Sequence, residues 1–172
     1  MILGTDALLA ARPASPVQLA QACLALGYDG VVPASWGDEL VADAAMQRVL
    51  AHDQGPAVLC SCPHVARRML QAGGDLQPFL LSLVAPPVAA ARYLRALWAP
   101  TPIGLTFVGH CPGASDDAID ARIAPSELLA IIEARGIVLA EQPEVFDEVI
   151  PPDRRRYHSR RRSVAGAPPG RE

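Results

Sequence analysis

Four prolines divide this chain in a way that decides its architecture. Pro16, Pro63, Pro87 and Pro125 each open an amphipathic stretch. Proline suits the first helical position, where a missing N–H has no intrahelical partner to lose. After Pro16, with Ser15 as N-cap, the residues Leu19, Ala22, Cys23 and Leu26 form an apolar stripe that Gly27 ends. After Pro63, Val65, Ala66, Met69 and Leu70 share a face, with Arg67 and Arg68 off it. Pro87 leads Val88, Ala91, Leu94, Leu97 and Trp98 inward and Arg92 and Arg95 outward. Pro125 leads Leu128, Leu129, Ile131 and Ile132, and Gly136 closes that helix. One more helix is predicted from a Ser35–Asp38 capping box to about His52, its register set by Leu40, Val41, Ala44, Ala45, Arg48 and Val49. Short apolar runs stand between the helices, at 1–5, 30–33, 57–59, 79–84, 103–108 and 119–123. Helices alternating with short strands predict an α/β fold, a parallel sheet with helices on both faces and right-handed crossovers.

At 172 residues, 51% of them hydrophobic, the chain suffices for one core. The expected division is an α/β domain over residues 1–140 and an irregular tail over 141–172. The tail carries Pro151-Pro152, six arginines between Arg154 and Arg162, and a Pro/Gly-rich end, a composition that stays solvated. Residues 1–152 hold 8 arginines against 16 acids. An acidic body gives no electrostatic reason to bind nucleic acid. The longest apolar run, Phe79 to Ala91, is broken by Ser82 and the Pro86-Pro87 pair, so no membrane span is expected. No signal-peptide pattern opens the chain, which predicts a cytoplasmic protein. Four unevenly spaced cysteines do not resemble a secreted disulfide framework.

Chemistry concentrates in two turns. Ala57-Val58-Leu59 runs into Cys60-Ser61-Cys62-Pro63, and Ile103–Val108 runs into Gly109-His110-Cys111-Pro112. Each Cys-Pro pair follows a predicted strand. If those strands lie in one parallel sheet, both cysteines open onto the same rim, where α/β proteins build their sites. Cys62 falls at the N-cap of its helix, where free N–H groups and the dipole favour thiolate. Cys23 points into the core of its helix and reads as structural. His52 and His158 have no motif around them and read as surface residues. Trp36, at the start of its helix, reads as a packing residue.

At these residues the chain resembles the large-subunit catalytic domain of iron-only hydrogenases. Cys62-Pro63 matches the ligand position of the family's Ser-Cys-Cys-Pro turn, with Ser61 where active enzymes carry a proton-relay cysteine. Leu26-Gly27-Tyr28-Asp29, Trp36-Gly37-Asp38-Glu39-Leu40 and Ala85-Pro86-Pro87-Val88-Ala89 resemble further family segments, in order along residues 5–140. Gly109-His110-Cys111 resembles the second cluster motif, Pro-Cys-x-x-Lys. The departures are specific. The family's late Cys-x-x-x-Cys motif is absent, since no cysteine follows Cys111. Ala114 replaces the motif lysine, and the chain contains no lysine.

The resemblance therefore implies a hydrogenase-like protein without hydrogen turnover by this chain alone, lacking the full set of cluster ligands. It implies a non-catalytic iron–sulfur, redox-sensing or interaction module, with a ferredoxin-like or signalling protein as partner. The candidate cofactor is an iron–sulfur cluster, and the candidate ligands are Cys60, Cys62 and Cys111, with His64, His110 or an external thiolate at an open fourth position. No catalytic residue is assigned. Zinc at the same cysteines, or a dithiol–disulfide cycle between Cys60 and Cys62, stand as alternatives. So does a metal-free interaction module with inert cysteines.

Overall fold

The computed structural model describes residues 1–53 and 55–144. Strand β1 (Ile2–Leu3) is followed by helices α1 (Thr5–Ala10) and α2 (Pro16–Ala25), then β2 (Val32–Pro33) and α3 (Trp36–Leu50). Next come β3 (Val58–Cys60), α4 (Pro63–Ala72), β4 (Leu80–Ser82), α5 (Pro86–Trp98), β5 (Thr106–Val108), β6 (Ala121–Ile123) and α6 (Pro125–Ala134). Short 3-10 turns lie at Gly74–Phe79, Pro112–Ala114 and Leu139–Glu141. All strand pairs are parallel, and the larger sheet runs β2-β1-β5-β6.

Alternation along the strands builds two cores on opposite faces of that sheet. Met1, Leu3, Val31 and Val108 face α1, α2 and α6, where Ala7, Leu19, Cys23, Leu128 and Ile132 are buried. Ile2, Val32 and Phe107 face α5, where Val88, Ala91 and Leu94 are buried. Trp36 packs on this second core. Helices on both faces are what the alternating sequence predicts.

The expected single sheet is corrected. β3 pairs with β4, Val58 opposite Leu80 and Cys60 opposite Ser82, in a separate two-stranded sheet. The cause is the route of α3, which packs on α5 rather than on the sheet. Gly37 comes so close to the Pro86 carbonyl that a Cβ would stand 1.8 Å from its oxygen. The expected apolar register of α3 is only half covered: Gly37 alone is buried, Leu40, Val41, Ala44 and Ala45 are half-buried, and Leu50 is 78% exposed.

Local chemistry explains most helix starts. Ser15 accepts from the Gln18 N–H at 3.2 Å while Gln18 Oε1 accepts from the Ser15 N–H at 2.9 Å, a reciprocal cap. Ser35 does not cap α3. Its backbone is helical (φ −60°, ψ −16°), whereas a capping side chain needs an extended residue. Helix α5 begins at Pro86, one residue before the expected Pro87. Arg95 does not simply point outward: its guanidinium holds the carbonyls of Ala118 (2.9 Å) and Ile103 (3.1 Å) and the Asp120 carboxylate (2.8 Å). His52 is half-buried rather than a plain surface residue, and its buried Nε2 has no hydrogen-bond partner among the described residues. The Arg/Pro-rich part of the expected tail and His158 lie outside the described residues.

Candidate functional site

Cys62 is the N-cap residue of α4, extended at φ −110° and ψ 112°, with Pro63 in the first turn. No side-chain cap bond is made there, and the Cys62 side chain is half-buried. The first-turn N–H groups of α4 thus lie beside a thiol. Cys111 precedes the Pro112–Ala114 turn, whose Ala114 N–H donates to the Cys111 carbonyl at 3.1 Å. It is half-buried as well.

The two turns come together although their strands belong to different sheets. Their meeting point is Gly113. A Cβ there would stand 2.8 Å from Ala85 Cβ, 3.2 Å from Pro63 Cδ and 3.6 Å from Cys111 Sγ. Glycine leaves room for the start of α4, the start of α5 and the Cys111 thiol to crowd one niche. Any larger residue at 113 would push the turns apart.

Cys60 is engaged differently. It is buried at the end of β3, and its thiol donates to the Cys62 carbonyl at 3.2 Å. His64 is exposed in the first turn of α4. His110 is 71% exposed, and its Nδ1 lies 2.9 Å from Asp6 Oδ2. Asp6 carries no sequence motif; it reaches His110 only because β1 and β5 are parallel neighbours that end together. Cys23 is fully buried, and burial pushes its thiol up to about 12.

Thiolate chemistry suits an iron–sulfur group, and Cys62 and Cys111 stand on the two turns whose Pro63 ring and Cys111 thiol meet at Gly113. The count does not suit a cluster held by this region alone. Among the described residues, no three His, Cys, Asp or Glu side chains gather closely enough to hold a metal ion. The four cysteines are free thiols.

The model of the family described as iron-only hydrogenase large subunit, C-terminal domain, matches residues 3–159. Solved structures similar to the chain include an FeFe-hydrogenase whose structure revealed stepwise H-cluster assembly, at 23% identity and a TM-score of 0.63. Another reports oxygen inactivation through modification and degradation of the 2Fe subcluster, at 21% identity and a TM-score of 0.64. A variant of the enzyme from Chlamydomonas reinhardtii has 23% identity and a TM-score of 0.63. Each match covers 83% of this chain and 44% of the solved one, so the chain spans less than half the length of these structures. At such identities the likeness shows the fold. No curated protein matches the chain significantly.

Proposed function

This chain belongs to the family of the iron-only hydrogenase large subunit, C-terminal domain, and from that membership we propose that it is a non-catalytic redox or interaction module of the hydrogenase-like type. Cys62 and Cys111 contribute two thiolates toward an iron–sulfur group, and the remaining ligands come from outside residues 1–144. The observation that carries this reading is the convergence of Pro63 and the Cys111 thiol on the Gly113 niche. Bound there, an iron–sulfur group would supply one-electron redox chemistry. The chain's own part is to orient two thiols and to present the first-turn N–H groups of α4 to their negative charge. Cys60 supports the turn through its bond to the Cys62 carbonyl.

Hydrogen turnover is not assigned to this chain. Ala114 stands where the motif that Gly109-His110-Cys111 resembles has lysine, and the chain spans less than half the length of the solved hydrogenases it matches. A ferredoxin-like or signalling protein is the partner class that a redox module of this kind serves. An interaction role is favoured separately by an open apolar cleft of about 300 Å³ lined by Leu40, Val41, Ala44, Leu83, Val84 and Tyr93. Among the described residues no helix is long and apolar enough to cross a membrane. Free cysteines are kept most simply in a reducing compartment such as the cytoplasm.

Anaerobic reconstitution followed by iron and sulfide analysis tests the reading. Wild type is expected to hold iron, Cys62→Ser and Cys111→Ser to hold less, and Cys23→Ser to match wild type. Equal iron in all four proteins overturns the thiol assignment. Hydrogen evolution by the isolated chain, after cluster maturation and with a strong reductant, overturns the non-catalytic one.

A further inference from the structure

Asp6 makes more directed contacts than an exposed aspartate usually does. Its Oδ2 accepts from the His110 backbone N–H at 2.7 Å and lies 2.9 Å from His110 Nδ1. Its Oδ1 accepts from the Ala7 N–H at 3.1 Å. The carboxylate is also seated between two glycines. A Cβ on Gly4 would stand 2.5 Å from Oδ1, and one on Gly109 would stand 2.8 Å from it. Gly4 and Gly109 follow the ends of the paired strands β1 and β5, so the seat is made by the sheet itself.

We propose that Asp6 is a positioning residue for Cys111, acting through His110: the carboxylate seated on Gly4 and Gly109 clamps the backbone and ring of His110 and so aims the neighbouring thiol at the Gly113 niche. The turn leaving β5 is held at successive points. The Gly109 N–H donates to the Ile123 carbonyl at 3.1 Å, the His110 N–H to Asp6, and the Ala114 N–H to the Cys111 carbonyl. Asp6 is the one side chain in that series. Without it, the His110 N–H and ring turn to solvent, and the link between Gly109 and Cys111 loses its hold.

The pair also fixes the imidazole tautomer. A ring nitrogen 2.9 Å from a carboxylate oxygen carries a proton, because two acceptors at that distance repel. Nδ1 is therefore protonated, and in the neutral ring Nε2 bears the lone pair on the open side of the turn.

The inference rests on reading Cys111 as a working thiol, and its test separates the two. Iodoacetamide labelling of the full chain, resolved by peptide mass spectrometry, gives the rate at each cysteine. Asp6→Ala is expected to change the Cys111 rate by roughly two- to fivefold, the range an exposed hydrogen-bonded side-chain pair can supply. The Cys62 rate and Tm should stay near wild type. His110→Ala keeps its backbone N–H bond to Asp6 and should show a smaller change. Asp6→Asn keeps an acceptor oxygen and should fall between wild type and Asp6→Ala. Two-bond proton–nitrogen spectra above the ordinary imidazole range should show the Nδ1–H tautomer in wild type and a mixture in Asp6→Ala. An unchanged Cys111 rate and tautomer in Asp6→Ala overturns the clamp, whatever the iron content of the protein. If Asp6→Ala lowers Tm and speeds every cysteine alike, Asp6 is merely structural and the proposal fails as well. Absent iron binding with a selective Cys111 change removes the cluster reading and leaves the clamp standing.

Discussion

Burial lifts the Cys23 thiol to about 12, because the low-polarity core of α2 disfavours thiolate, with the nearby N-terminal charge pulling weakly the other way. Two outcomes follow from that one shift. In the folded protein Cys23 should resist iodoacetamide at pH 8.5 while the half-buried Cys62 and Cys111 react, and it should label only once the chain unfolds. The folded value stands above the ordinary 9.0, so the contribution of Cys23 to stability is complete below pH 9 and fades as pH rises toward 12. Urea midpoints of wild type and Cys23→Ala should therefore draw closer over that range; a constant gap would contradict the shift. This residue was legible in the sequence, since a cysteine on the apolar stripe of a Pro-opened helix has one place to go. Asp6 was not. It sits in a six-residue helix too short to show a period, and its partner is 104 positions away. Ser35 misled for a related reason: Ser-x-x-Asp resembles a cap, but capping depends on a backbone angle that the letters do not carry.

The α5–β5–β6 region is closed by two arginines of α5. Arg92 pairs with Asp116 at 2.8 Å, and Arg95 pairs with Asp120 at 2.8 Å. Both carboxyls are held below the ordinary carboxylate value, chiefly by backbone N–H donors, Ala118 for Asp116 and Leu105 for Asp120, and then by the arginines. A depressed value means stability that is present above about pH 4 and lost as pH falls through the folded value. Asp120→Asn should lower the urea midpoint at pH 7, and the gap to wild type should shrink by pH 3. A gap that widens on acidification would refute the linkage. The sequence announced these helices through their prolines and stripes, yet it made Arg95 an outward charge. Helical phase places a side chain on a face, but it does not say that a returning loop will lie across that face. The strand β3 shows the same limit. Its apolar run and its Cys-Pro turn were readable, but its sheet was decided by where α3 packs.

The molecule has a strong part and a weak part, and the candidate thiols are divided between them. Cys111 leaves the four-stranded sheet, in which β1 and the Phe107-Val108 pair of β5 are buried; Cys62 leaves a two-stranded sheet with Leu59 46% exposed and an α4 in which only Ala66 is buried. A two-stranded sheet with so little cover is marginal by itself. Truncation in the strong part should be costly: Leu94→Ala, 4% exposed, is expected to lose about 2–5 kcal/mol. Leu50→Glu, on the open end of α3, should change stability by no more than about 0.5 kcal/mol. Chemical denaturation of the two variants checks that contrast, and comparable losses would erase the distinction. Amide exchange reads it locally. Residues 58–60 and 80–82 should exchange well before 106–108, because local opening there breaks few buried contacts. A group gripped by both Cys62 and Cys111 would tie the weak part to the strong one. Iron loading should then slow exchange across 58–72 while leaving 106–108 as it was, and Cys62→Ser should abolish the slowing. Protection that appears equally in Cys62→Ser would mean that the iron binds elsewhere.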